Sequence, residues 1–193
     1  LGDVYKRQMG VVYDDDERYE LTWVGKKQAI REVAHPIRKT LRPCPEESRN
    51  WEQTQNLYIE GDNLDAMKLL KKSYAGKVDV IYIDPPYNTG KDFIFNDTFA
   101  LSQEESDEKQ GRYNEEGQRL FQNTEANGKF HSDWCSMMYA RLMLARTLLN
   151  DNGIIFISID DHELANLIKI GNEVFNASNF IDVFNWAKTE TPE

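Results

Sequence analysis

The chain has 193 residues, 40% of them hydrophobic, and a formal net charge of −10. That is apolar content enough for the core of one ordinary domain. No apolar run approaches the ~20 residues that span a bilayer, and no signal peptide is visible; the acidic balance argues against a simple cationic nucleic-acid binder. The two cysteines, Cys44 and Cys135, and the three histidines, His35, His131 and His162, show no metal-ligand spacing. The pattern argues against a metal cluster and fits a reducing cytoplasm.

In chain order, Leu1 to Gln8 precede Met9 and read as a non-native scar. Residues 9–55 form an N-terminal extension, broken by Pro36, Pro43 and Pro45. From Lys26 to Arg42 the chain carries Lys26, Lys27, Arg31, Arg38, Lys39 and Arg42 against Glu32 alone; a solvated basic face is the plain reading and contact with phosphates the functional one. Leu57-Tyr58-Ile59 is predicted as a short strand ending at Gly61-Asp62. Asp62 is placed to cap a helix over 63–73, with Asp65 favouring its N-terminus and Leu64, Met67, Leu70 and Tyr74 on its inner face. The run 78–83 predicts a parallel strand buried on both faces.

Asn88-Thr89-Gly90 reads as a turn, and the polar residues 98–128 as a mobile excursion. A helix is predicted over 132–150, with Trp134, Met138, Leu142, Ala145 and Leu149 on one face, stopped by Asn150-Asp151-Asn152-Gly153. The run 154–159 is a further strand; Asp160 then caps a helix over 161–175, with Glu163 completing a capping box. Residues 180–186 read as a last strand. Alternation of strands and helices implies a parallel α/β sheet with right-handed crossovers, whose ligands bind beyond the carboxyl ends of its strands. That topology brings Asp62, residues 84–87 and residues 158–160 to one rim.

The sharpest motif is Asp84-Pro85-Pro86-Tyr87, directly off the 78–83 strand. The two prolines fix two φ angles and supply no N–H, so the loop is stiff and its carbonyls point outward. A carboxylate, a carbonyl and a flat ring together suit a planar amino group, held by two acceptors while the ring stacks on its heterocycle. Trp134, Met137 and Met138 read as packing residues, His131 and His162 as surface or capping ones.

The motif resembles that of amino-group DNA methyltransferases that use S-adenosylmethionine. Residues 56–99 and 131–161 look more specifically like the modification subunit of type III restriction–modification systems. The resemblance implies a Rossmann-like S-adenosylmethionine-dependent methyltransferase sheet in circularly permuted order, here incomplete, with residues 56–193 a partial catalytic domain. It implies methyl transfer to adenine N6 in DNA: Asp84 and the Pro85 carbonyl accept the two N–H bonds, Pro86 shapes the loop, and Tyr87 stacks on a base flipped from double-stranded DNA. Asp62, with Asp84, is implied in cofactor binding. A homodimer of modification subunits, with an ATP-dependent restriction subunit as partner, is implied as well, without membrane or metal.

The family's glycine-rich Phe-x-Gly-x-Gly loop has no counterpart, because no two glycines here are separated by a single residue. The target-recognition domain has no counterpart either, so the chain is expected to be an N-terminal fragment, inactive alone. Cytosine N4 as the methylated atom, and a non-catalytic remnant that mediates subunit contacts, remain the alternatives.

Overall fold

The computed structural model describes residues 20–91, 93–95, 112–113 and 119–186. Residues 1–19, with the expected scar at 1–8, much of the excursion, and residues 187–193 lie outside the described residues. Helix α1 (Lys26–Ala34) is followed by α2 (Asn63–Tyr74), β1 (Val78–Ile83), β2 (Phe93–Phe95), β3 (Arg112–Tyr113), β4 (Arg119–Gln122), α3 (Phe130–Leu148), β5 (Leu149–Ile157) and α4 (Leu164–Phe175).

Helix α3 organises the rest. Ten of its buried residues lie between Trp134 and Ala145, on every side of the helix, as befits a helix surrounded by protein. Helices α1, α2 and α4 all pack on it. The α1 contact lies in the extension that sequence reasoning left unassigned. The Trp23 indole donates to Ser136 Oγ at 2.9 Å and meets the Tyr139 ring edge-on. Lys26 sits over both rings and pairs with Glu173 at 2.7 Å. Lys39 pairs with Asp65 at 2.5 Å, so these two lysines of the basic segment face carboxylates. The hydrogen bond from Lys39 to Asp65 raises the lysine's pKa.

The parallel sheet is a two-stranded kernel, β1 beside β5, in register from Val80↔Ile154 to Ile83↔Ile157. Ile83, Ile155 and Ile157 pack against the helical core. The opposite face is open: Val80 is 58% and Tyr82 67% exposed, beside Ile154 and Phe156. The expected burial of β1 on both faces is therefore corrected, since the helices cover one side only. Nor are 57–59 and 180–186 strands. Both are exposed, Tyr58 and Trp186 almost fully, because extended residues become strand only where a neighbour supplies a ladder.

Other boundaries shifted for local reasons. Residues 150–153 do not follow a helix end as a turn; they form an irregularity inside β5, where the register jumps between Val78↔Leu149 and Val80↔Ile154. Gly153 is needed there: a Cβ would stand 2.9 Å from the Val78 carbonyl oxygen. Tyr74 turns outward at 45% exposure, away from the α2 inner face that Leu64 anchors. Helix α4 begins at Leu164, because the Asp160 carboxylate closes a tight turn onto the His162 N–H at 3.0 Å in place of capping the helix. Part of the excursion is ordered. β4 pairs antiparallel with both β2 and β3 in a second small sheet.

Candidate functional site

The carboxyl ends of β1 and β5 are tied together where the Ser158 N–H donates to the Ile83 carbonyl at 2.9 Å. Asp84 leaves β1 immediately beyond that bond, with its side chain exposed, while Pro85 is buried behind it. The Tyr87 hydroxyl donates to Asp84 Oδ1 at 3.1 Å. That bond is the chief reason the Tyr87 pKa is raised from its usual value near 10. Asp84, the residues around Ser158 and the ring of Tyr87 thus share one rim; Asp62, expected there at the end of a 57–59 strand, follows no strand.

The loop is held from behind. The Trp134 indole, fully buried, donates to the Pro86 carbonyl at 2.7 Å. Sequence reasoning placed Trp134 in the core but missed this bond, because a Trp–carbonyl pairing 48 residues apart leaves no local signature. Immediately after Tyr87, Asn88 adopts a left-handed φ of 62°, which Asn tolerates better than most residues. Its amide donates to Glu163 Oε1 at 2.5 Å and accepts from Asn123 at 2.8 Å. Glu163 is 0% exposed. It accepts in addition from Asn166 at 2.7 Å and from His131 Nδ1 at 2.7 Å. Asn123 also donates to the Phe130 carbonyl at 2.7 Å, and Asn127 links Asn123 to Asp133.

Glu163 therefore does not complete a capping box; His131 is exposed, as expected of a surface residue, and its ring nitrogen also reaches Glu163. Burial lifts the neighbouring Cys135 thiol to a pKa of about 12, with the charge of Glu163 adding to it. That thiol is inert at neutral pH. Every buried side-chain nitrogen or oxygen among the described residues has a partner.

Asp62 is built differently. Its carboxylate accepts the Asp65 N–H at 2.8 Å, the expected N-cap of α2. A cavity of about 230 Å³ opens beside it, lined by Lys39, Leu41, Ile59, Gly61, Asp65 and Leu69 among others. Its lining is mixed, with Leu41, Ile59 and Leu69 beside the carboxylates of Glu60, Asp62 and Asp65 and the Lys39 ammonium, and these are the residues that could hold the polar, planar end of a nucleoside cofactor. Helix α3 serves as a ruler between the two acids. Trp134 reaches Pro86, and Arg141 donates to Asn63 Oδ1 at 2.8 Å. Seven helical residues separate these contacts, roughly 10 Å along the axis.

Residues 78–193 match the DNA methylase family. The chain is 43% identical over 172 residues to the type III restriction-modification enzyme EcoPI Mod subunit of Escherichia phage P1, covering 86% of this chain and 26% of that protein. It is 40% identical over 177 residues to the EcoP15I Mod subunit of Escherichia coli, covering 88% and 27%. The type II methyltransferase M.KpnI of Klebsiella pneumoniae is 35% identical over 128 residues, 66% of this chain and 25% of that protein. The chain spans about a quarter of the length of these curated relatives. No described helix is long and apolar enough to cross a membrane.

Proposed function

This chain belongs to the DNA methylase family, and we propose that it is the base-holding portion of a type III modification subunit that methylates adenine N6 in DNA. The observation that carries the reading is the state of the 84–87 loop. Trp134 takes the Pro86 carbonyl while the Asp84 carboxylate stands exposed at the end of β1.

The adenine N6 lone pair is delocalised into the ring and is a poor nucleophile. Asp84 and the Pro85 carbonyl accept its two N–H bonds and favour the tetrahedral nitrogen that attack requires. With the Tyr87 hydroxyl on Asp84 Oδ1, the base amino group meets the other carboxylate oxygen. The Tyr87 ring stacks on the flipped base and excludes water from that side. Pro86 gives shape to the loop, and its carbonyl anchors it. Positioning, rather than proton removal, is the contribution of these residues. S-adenosylmethionine supplies the electrophilic methyl group when bound, and Asp62 is the residue of this chain that would hold its adenosyl end.

The finer fold reading follows the same lines: a Rossmann-like sheet in circularly permuted order, of which β1 and β5 are the kernel. The open apolar face of Val80, Tyr82, Ile154 and Phe156 supports it, because parallel sheets are covered on both faces. On this reading activity requires segments equivalent to the rest of the relatives. The assembly is a homodimer of modification subunits joined by an ATP-dependent restriction subunit in the cytoplasm.

The test is nucleoside analysis of DNA methylated by the full-length enzyme that carries this chain. N6-methyladenine is the expected product. N4-methylcytosine would move the target to cytosine, which the same pair of acceptors would serve, and no methylated nucleoside would leave the subunit-contact reading.

A further inference from the structure

We propose that Glu163 is a positioning residue for the base-holding loop, acting through Asn88. The inference rests on the proposed role of residues 84–87 and goes beyond it, since Glu163 lies 75 residues from Asn88 in sequence. A fully buried carboxylate is retained only against a large desolvation penalty. Here the penalty is met by three donors from three segments: Asn88 after the loop, His131 in the first turn of α3, and Asn166 in α4. Charge-assisted bonds of this kind are short and directional, and the shortest, at 2.5 Å, runs to Asn88.

Asn88 is the next residue after Tyr87, itself fully buried and held at φ 62°. Fixing its side chain fixes the backbone exit of the loop, as Trp134 fixes Pro86. The loop therefore has two struts, at adjacent points on the side away from the rim. One is an indole N–H; the other is a carboxylate. Among the described residues Asp84 has no hydrogen bond to either strut, so beyond the Tyr87 hydroxyl its carboxylate depends on the backbone that both struts hold. The polarity is defined: Asn88 donates to Glu163 at 2.5 Å and, at 3.5 Å, to the Phe130 carbonyl, and it accepts from Asn123. Glutamine at 163 accepts with only one of its two terminal atoms, so it turns a donor towards Asn88 and His131 or towards Asn166.

The experiment uses the full-length enzyme, unmethylated phage DNA and radiolabelled S-adenosylmethionine, with melting measured in parallel. Glu163→Gln should lower kcat at least tenfold with the cofactor KM within twofold of the parent. Asn88→Ala, which leaves His131 and Asn166 on Glu163, should do the same. Asn88→Asp places two carboxylates face to face and should also lose kcat. Combining it with Glu163→Gln reverses the donor and acceptor, and should recover kcat to within threefold. A folded Asn88→Ala or Glu163→Gln enzyme with parental kcat overturns the proposal, as does a folded double variant no better than Asn88→Asp. Asp84→Ala run alongside separates the two levels: if it retains methyl transfer, the role of the loop itself fails; if it alone is inactive, only the Glu163 strut does.

Discussion

The two acids singled out in this chain, Asp84 and Asp62, stand at the ends of regular elements, yet they are held in opposite ways. Asp62 is held locally, three residues from the backbone N–H it accepts, and its geometry comes with the helix it caps. Asp84 sits on a loop whose supports are 48 and 75 residues away, at Trp134 and Glu163. Prolines make the loop stiff but do not aim it. The aim comes from buried polar groups behind it, so changes far from the rim should act on Asp84, whereas the cap at Asp62 should answer first to its own helix turn.

The largest expected effect tests the Asp84 side directly. Asp84→Ala should lower methyl transfer by the full-length enzyme by about 100-fold or more, the order seen when one hydrogen-bonding group to a reacting centre is removed. Melting should be nearly unchanged, because the side chain is exposed and anchors nothing in the core. Activity retained within tenfold would dissolve the distinction between the two acids.

Trp134→Phe comes next. It keeps most of the ring volume but leaves the Pro86 carbonyl without its indole donor. A fully buried acceptor that loses its partner costs about 1–3 kcal/mol; this part-buried carbonyl falls at the lower end, with a cavity contribution in the same direction. Chemical denaturation should show that loss. If remote support matters, kcat should fall as well; a variant destabilised but with parental kcat would make Trp134 a packing residue alone.

The unequal legibility of these features follows from the same contrast. The cap at Asp62, the helices at α2 and α3 and the strand β1 are written in local spacing, and the structure has them within a few residues. What sequence reasoning missed depends on distant partners. Residues 57–59 and 180–186 have strand-like composition, but pairing decides strandedness. Glu163 sits three residues after Asp160 as in a capping box, and that local reading concealed a carboxylate committed to Asn88 and His131. The open face of β1 likewise looked buried, since Val80 and Tyr82 do not reveal which side the helices choose.

On the Asp62 side the expected effects are smaller and separable. Asp62→Ala should destabilise by about 1 kcal/mol, the usual value of an N-cap. Asp62→Asn should melt with the parent, because Asn caps about as well as Asp. If the adjoining cavity holds the adenosyl group, calorimetric titration of Asp62→Asn in the full-length enzyme should show S-adenosylmethionine binding several-fold weaker despite the intact fold. Unchanged affinity would reduce Asp62 to a cap.

The smallest effect concerns the hydrogen bond that Asp84 receives from the Tyr87 hydroxyl. That bond raises the tyrosine pKa, so the hydroxyl loses its proton at higher pH in the folded chain than in an unfolded one. The contribution to stability is then complete below pH 10 and is lost as pH rises through the folded-state value. Because the bond is exposed, although Tyr87 is half-buried, it is weak, and the readout is spectroscopic rather than thermodynamic. The tyrosinate absorbance of the parent minus that of Tyr87→Phe should titrate above pH 10, and in an Asp84→Ala background the same difference should move back towards 10. If the two curves coincide, Asp84 is not engaged by Tyr87 in solution. Both of its oxygens then face the rim, and whatever aims the carboxylate must come from Trp134 and Glu163 alone.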